Sequence, residues 1–375
     1  MISARAVLES TDWGALNHAY DVAADVPSRL VGLLSEDPGR CADAVGYLDI
    51  AILHQGSIYP ATPPVALFVA GILGDPRTAV EIGSAFPWDE RIRPLRAALL
   101  DWLCQVGESA AWGERVPGAG WHDPGGERPA ELDVIRACRA IRRDLYLAVA
   151  PFMSDDAESV RAAAIGAAGC LLAAPELADL RPAAAARLET LVRGASMRER
   201  AGIALALGRC GMAPGGLLAD PDPAVRACAA VAPALDDDPA ALAKVRRALE
   251  DPVTADSWFD QPIPQLEGKF RFALVAALLR RAATFEEIIM PALAIARMTN
   301  AYTVDFDWGP LLVKAFPVSY SPRTGLSRAQ HQFLTAIAAN DECWGAIANP
   351  ALWLSRAGLP AARDALRELL ASPHW

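Results

Sequence analysis

A short recurring phrase constrains the fold of this chain more than any other feature. An aspartate is followed five positions later by Val-Arg and then by an alanine-rich apolar run, in residues 155–172 and again in residues 220–235. A looser copy occupies residues 75–81. Such repetition is typical of stacked helix pairs, in which an Asp-containing turn opens a helix and small side chains let it pack closely on its neighbours. The phrase therefore predicts an all-α chain of repeated helix pairs.

Helical periodicity extends beyond the phrase, whereas alternating strand patterns are nearly absent. One helix face is indicated by five apolar residues at helical spacing, namely Ile92, Leu95, Leu99, Leu103 and Val106. Asp-Pro pairs stand between the apolar segments. Aspartate caps a helix N-terminus and proline fits the first turn, so these pairs predict the joints between short helices.

The phrase Asp-x-x-x-x-Val-Arg before an alanine-rich helix resembles the second-helix signature of HEAT repeats. The match is best in residues 155–172 and 220–235 and weaker in residues 195–208. The resemblance implies a right-handed α-α superhelix, or α-solenoid, of HEAT-like helix pairs. It also implies that the Asp and Arg of the phrase link turns and neighbouring repeats, so we expect their role to be structural.

We expect one continuous α-solenoid over residues 1–375, because each helix pair can stack on the next. Its expected parts are an N-terminal cap at 1–29, HEAT-like repeats at 30–250 with a long loop at 107–131, an irregular aromatic-rich helical region at 251–326 and a C-terminal cap at 327–375. Pro291 lies inside the helix candidate 285–298, where it predicts a break or a kink.

Composition limits the classes of function. The hydrophobic fraction of 53% supplies a large core, and the net charge of -10 disfavours binding to nucleic acid, which usually requires a basic face. An acidic surface instead suits a basic protein partner. The longest apolar run, residues 65–73, is shorter than the ~20 residues of a membrane-spanning helix, and no signal peptide is apparent. We therefore expect a cytoplasmic protein with no membrane association.

The sequence predicts no cofactor, no metal site and no catalytic residue. The seven cysteines form no Cys-x-x-Cys pair, and the five histidines lie far apart. We interpret the cysteines as buried free thiols in a reducing compartment. Patterns typical of a serine nucleophile elbow, a phosphate-binding loop or a dinucleotide fold are also missing from the sequence.

The first candidate site is a polar turn between two apolar helices, which contains His54, Gln55, Tyr59 and Thr62. A titratable ring, an amide, a phenol and a hydroxyl in one turn could contact a ligand or a partner. The alternative is a structural turn in which these side chains bond to the backbone.

The second candidate is the segment Asp305-Phe-Asp307-Trp308. Two carboxylates at positions i and i+2 could act as an acid and a base or bind a cation. The alternative for Asp307 is the N-cap of a helix predicted over residues 308–316.

The third candidate is Trp258-Phe259, next to Asp260. Exposed aromatic side chains make good binding anchors, because they bury a large area in a partner. The alternative is that they cover the end of the hydrophobic core.

These observations favour a non-enzymatic scaffold that binds a protein partner on its concave face, with a bacterial antitoxin or immunity-type protein as one specific version. The first alternative is a HEAT-like DNA glycosylase acting on alkylated bases, in which Trp258, Asp305, Asp307 and Trp308 would supply aromatic rings and a carboxylate. A second is a HEAT-like lyase or modifying enzyme, whose mark would be a pocket lined by His54, Tyr59 and carboxylates.

Overall fold

The structure is a computed structural model that describes residues 3–84, 86, 89–111, 129–260, 263–266, 268–345 and 347–372. Helices dominate these residues, which confirms the all-α prediction, and the described strands form one short hairpin. The chain divides into two compact units, Met1–Gly211 and Met212–Trp375, which we call unit 1 and unit 2. The continuous superhelix over residues 1–375 stays a prediction.

Unit 1 contains the helices α1 (Ala4–Ser10), α2 (Val26–Gly32), α3 (Pro38–Tyr47), α4 (Thr62–Ile72), α5 (Leu95–Ala110), α6 (Pro129–Ala140), α7 (Arg142–Val149), α8 (Glu158–Leu172), α9 (Arg181–Leu191) and α10 (Met197–Arg209). Its centre is α8, which packs against α5 on one side and α10 on the other. The alanine-rich sequence of α8 allows this approach: a Cβ built on Gly169 would lie 2.8 Å from the Cα of Ala206 in α10.

The recurring phrase forms the same local structure at both of its best copies. The Asp155 carboxylate accepts the N–H of Ala157 at 3.0 Å, and the Asp220 carboxylate accepts the N–H of Asp222 at 2.9 Å. In each copy the arginine donates from Nη1 to the two carbonyls at the start of the phrase, at 2.6–2.8 Å. These bonds close the turn before the helix.

The first copy also joins neighbouring helices. Arg96 of α5 lies 3.2 Å from the Asp155 carboxylate, and Arg161 donates from Nε to Glu199 of α10 at 2.7 Å. Glu199 in turn forms a capping box with Ser196 at the start of α10. The structural role expected for the Asp and Arg of the phrase agrees with these contacts.

The looser copy at residues 75–81 does not open an α-helix. Asp75 caps a single 3-10 turn, Pro76–Ala79, and the chain then enters strand β1 (Glu81–Gly83), which pairs antiparallel with β2 (Ile92–Pro94). Ile92 is therefore a strand residue, 72% exposed, and not part of the predicted helix face. The remaining four residues of that face are buried in α5.

The loop predicted from residue 107 begins later than expected, because α5 continues to Ala110 and α6 starts at Pro129. Gly107 and its neighbours are held in α5 by packing: a Cβ at this position would lie 3.1 Å from Cys170 Sγ. Residues 112–128 of the predicted loop lie outside the described residues.

Unit 2 contains α11 (Pro223–Ala230), α12 (Pro239–Ala248), α13 (Pro252–Asp256), α14 (Phe270–Arg281), α15 (Ile289–Met298), α16 (Trp308–Ala315), α17 (Arg328–Ala339), α18 (Asn349–Arg356) and α19 (Arg363–Ala371). The helical segment around Pro291 is broken, as predicted, because Ile288 leaves the helical conformation just before α15, and the proline does not kink a longer helix. It lies in the first turn of α15, where its missing N–H would have no helical partner, and a separate 3-10 turn, Glu286–Ile288, precedes the helix.

Among the described residues, no single helix is both long and apolar enough to cross a membrane. One pair of helices, Glu158–Leu172 and Pro175–Leu191, reaches the necessary length and composition only when counted together, and it is bent by 120°. The first of these helices is α8, most of which is buried in unit 1.

Candidate functional site

The start of α14 gathers two aromatic segments that lie far apart in the sequence. Phe270, the first residue of α14, contacts the ring of Trp258 at 6.0 Å and that of Phe259 at 5.7 Å between centroids. Two residues later, Phe272 stacks on Phe306 with 5.0 Å between centroids and 24° between ring planes. The four outer rings form two groups, Trp258 and Phe259 against Phe270 and Phe306 against Phe272, and we call these two groups together the aromatic cluster of unit 2.

The rings of the aromatic cluster are partly exposed, and the Phe270 ring against which Trp258 and Phe259 pack is buried. Phe270 is 3% exposed, whereas Phe306 is 49% exposed and nearby Tyr302 is 70% exposed. The other three members of the cluster are half-buried. Rings that are held by their neighbours yet remain accessible lose little conformational freedom when a partner covers them.

Arg271 fixes this arrangement from below with two ion pairs. Its Nε and Nη2 donate to the two carboxylate oxygens of Asp307 at 2.8 and 3.0 Å, and its Nη1 donates to Asp256 at the end of α13. Arg271 is 4% exposed and Asp307 is fully buried. The guanidinium also lies over the Phe272 ring, 4.8 Å from its centroid. A single side chain thus joins α13, α14 and the start of α16.

Asp307 and Trp308 are interior residues. Asp307 occupies the predicted N-cap position of α16, but its side chain makes no capping hydrogen bond and pairs with Arg271 instead. Trp308 is fully buried and donates from Nε1 to Cys343 Sγ at 3.3 Å. Neither side chain offers an exposed surface to a partner in this structure, and both stabilise the core of unit 2.

Asp305 is held in place by two donors on α18. Its carboxylate accepts Nδ2–H of Asn349 at 2.6 Å and Nε1–H of Trp353 at 2.7 Å. The Trp353 ring also lies directly against Gly309. A Cβ built on Gly309 would come within 2.6 Å of Trp353 Cε2, so no larger residue fits at this position. The two carboxylates of the segment therefore have different partners, and the structure does not form them into an acid–base pair.

The first candidate turn follows backbone of unusual form. Residues Leu48–Ile52 make a π-helical turn, in which the Leu53 N–H bonds to the Leu48 carbonyl at 3.0 Å. Gln55 then adopts φ 52°, and it is the only described non-glycine residue with positive φ. Both features occur often at functional sites, since a strained or bulged backbone persists only where the surroundings hold it.

Tyr20, from an earlier segment of unit 1, places its exposed ring against half-buried His54 of this turn. Their rings meet edge to face at 5.5 Å between centroids, and the Tyr20 hydroxyl lies 3.4 Å from His54 Nδ1, which also lies 3.0 Å from the Ile50 carbonyl. Tyr20 and Ile50 are 63% and 47% exposed. Gln55 is exposed beside them.

The Thr62 hydroxyl and the Tyr59 backbone N–H form hydrogen bonds that stabilise the turn. Thr62 is fully buried, and its hydroxyl donates to the Ile52 carbonyl at 2.8 Å while accepting the N–H of Tyr59 at 2.9 Å. The structural interpretation of the turn therefore applies to Thr62, whereas Gln55 is exposed and His54 and Tyr59 are half-buried.

The π-helical turn contains the half-buried carboxylate of Asp49. Burial raises the pKa of Asp49 to about 6, with the Arg93 guanidinium opposing this shift and the Asp101 carboxylate adding to it. Arg93 is ion-paired with Asp101. Within the part of the chain that the structure describes, one buried oxygen of Asp49 and one of Asp101 accept no hydrogen bond. Buried carboxylate oxygens without donors are uncommon and costly.

Asp49→Asn is expected to stabilise the protein at neutral pH. Because the folded-state pKa lies above the unfolded value, stability contributed by protonated Asp49 is complete below about pH 4 and is lost as the pH rises through about 6. We expect the variant to exceed the native protein by about 1–2 kcal/mol at pH 8 and to equal it near pH 4. Urea unfolding at both pH values measures this, and an equal difference at the two would contradict it.

The sequence identified Trp258 and Phe259 but gave no sign that Phe272 and Phe306 would join them. The motif Phe270-Arg271-Phe272 is the signal that could have found the cluster, since a charged residue between two aromatic ones at a helix start suggests a buried ion pair. No family model matches this chain, and neither a curated protein nor a solved structure matches it significantly.

Proposed function

We propose that this protein is a non-enzymatic interaction scaffold, built as an α-solenoid of HEAT-like helix pairs, that binds a protein partner. The observation that carries the proposal is the aromatic cluster of unit 2, two groups of partly exposed rings at the start of α14 whose segments are joined by the ion pairs of Arg271. Support for the HEAT-like architecture comes from the identical hydrogen-bond pattern of the two turns that begin at Asp155 and Asp220.

The aromatic cluster suits a protein partner because its rings are already ordered. Interface hot spots are enriched in aromatic residues that stand in well-packed surroundings. Here Phe306 stacks on Phe272, and Trp258 rests on Phe270. Arg271 holds the segments below, so binding does not require their rearrangement.

A basic partner fits the charge of this chain. The net charge is -10, and exposed Asp260 directly follows the ring pair at 258–259. A lysine or arginine of the partner would gain from both the carboxylate and a cation–π contact with an exposed ring. An antitoxin or immunity-type protein is one scaffold of this kind.

The contacts of the carboxylates disfavour the glycosylase alternative. Asp307 is buried in its ion pair with Arg271, and Asp305 is bound by Asn349 and Trp353. A carboxylate that is to act on a base must reach the substrate, whereas Asp307 is fully buried and both oxygens of half-buried Asp305 already accept hydrogen bonds.

Trp258→Ala with Phe306→Ala is expected to abolish partner binding without unfolding the chain. Each ring is partly exposed, and a hot-spot loss of at least about 2 kcal/mol corresponds to roughly 30-fold weaker binding. The measurement is capture of the partner from a lysate of the source organism, with and without nuclease, followed by titration of the identified protein with the native chain and the double variant.

Val318→Ala is the matched control, because Val318 is also in unit 2 and is 81% exposed. The control is expected to bind as the native protein does. Circular dichroism establishes that both variants are folded. Equal binding by the double variant, or captured material that disappears with nuclease, would overturn the proposal.

A further inference from the structure

Two thiols and a carboxylate of unit 1 converge at the interface between α5 and α8. Cys104 and Glu108 lie one turn apart on α5, and Cys170 faces them from α8. Their ligand atoms all lie within 4.8 Å of one another. The Cys170 thiol donates to the Cys104 carbonyl at 3.3 Å, which fixes the approach of the two helices at this point.

We propose that Cys104, Glu108 and Cys170 bind a divalent transition-metal ion, with zinc as the metal that their chemistry favours. Thiolate ligands select soft or borderline ions, and zinc accepts a mixed set of sulfur and oxygen donors. Three protein ligands leave the fourth tetrahedral position to water.

The geometry needs only a small adjustment to close around zinc. Two sulfurs bonded to tetrahedral zinc lie about 3.8 Å apart, given a zinc–sulfur distance of about 2.3 Å. The present ligand atoms, within 4.8 Å of one another, are at most about 1 Å farther apart than that spacing. The i and i+4 positions of Cys104 and Glu108 place both on one face of α5, which suits a shared ion.

Arg209 of α10 completes the charge balance of the site. Its Nη1 lies 2.5 Å from Glu108 Oε1. Two thiolates, one carboxylate, one guanidinium and one divalent cation sum to zero net charge. Binding replaces the two thiol protons, which leave to solvent, so no uncompensated charge enters the helix interface. Arg209 is then a partner that orients the ligating carboxylate.

An ion can reach the cluster from the side of Glu108 and Cys170. Cys104 is buried, but Cys170 is only partly so, and the Glu108 side chain is 27% exposed. The ligands come from α5 and α8, so a bound ion would hold these two helices together and stabilise unit 1.

The test is titration of the fully reduced, metal-free chain with Co²⁺, which reports thiolate ligation by its charge-transfer absorption, followed by displacement with Zn²⁺. We expect one equivalent to bind and the melting temperature to rise. Cys104→Ser and Cys170→Ser should each abolish the absorption. Glu108→Gln, which keeps the shape of the side chain, should weaken binding by at least about 10-fold.

Cys41→Ser and Cys228→Ser are the controls, because these thiols are buried elsewhere and belong to no such cluster among the residues that the structure describes. Both are expected to bind Co²⁺ as the native chain does. The proposal is overturned if the reduced chain gives no charge-transfer absorption, or if the absorption survives in folded Cys104→Ser and Cys170→Ser. Full-strength binding by Glu108→Gln would remove the carboxylate from the ligand set.

Discussion

Arg271→Met is expected to lower the free energy of unfolding by about 3–5 kcal/mol, the largest effect of any single change considered for this chain. The substitution leaves Asp307 fully buried without its cation and removes the link to Asp256. Hydrogen exchange of peptides spanning residues 252–316, together with urea unfolding, measures the loss and locates it in unit 2.

A second change should restore part of this stability. In Arg271→Met with Asp307→Asn, the buried carboxylate becomes an uncharged amide, so the cost of an unpaired charge is removed. Arg247→Met is the matched control, since Arg247 pairs with Glu250 at the surface with 81% of its side chain exposed. The control is expected to change stability by less than about 0.5 kcal/mol. A loss below about 1 kcal/mol in Arg271→Met would show that the buried pair is not required.

Gly169→Ala is expected to lower the free energy of unfolding by about 2–3 kcal/mol, although alanine is the better helix former by about 1 kcal/mol. The added Cβ would lie 2.8 Å from both Cα and Cβ of Ala206, so α8 and α10 would have to move apart. The backbone atom in this contact cannot rotate away. Thermal and urea unfolding of the variant give the size of the loss.

Gly74→Ala is the control for the glycine prediction, because no described residue other than its chain neighbours has a heavy atom within 4 Å of a Cβ built there. It is expected to be neutral or slightly stabilising. Gly169→Ala combined with Ala206→Gly should recover only part of the loss, since the Cα of residue 206 remains close. A Gly169→Ala variant as stable as the native chain would mean that the two helices adjust their spacing freely.

The candidate sites divide according to how much of their structure is local. The turns that begin at Asp155 and Asp220 followed from sequence, because their bonds join residues at most six positions apart. The aromatic character of Trp258 and Phe259 was equally plain. That Phe306 would pack at the start of the same helix, α14, could not be predicted. Its contact with Phe272 depends on which helices pack together, and local residue spacing does not determine this.

The sequence by itself determined the all-α class and the structure of its repeated turns, because apolar periodicity, Asp-Pro joints and short-range capping act within a few residues. Only the tertiary structure decided that Asp307 pairs with Arg271 and that Cys104 meets Cys170, across 36 and 66 positions of sequence. Such pairs depend on how helix faces pack, and packing is set by the sum of many weak apolar contacts that no single residue pattern encodes.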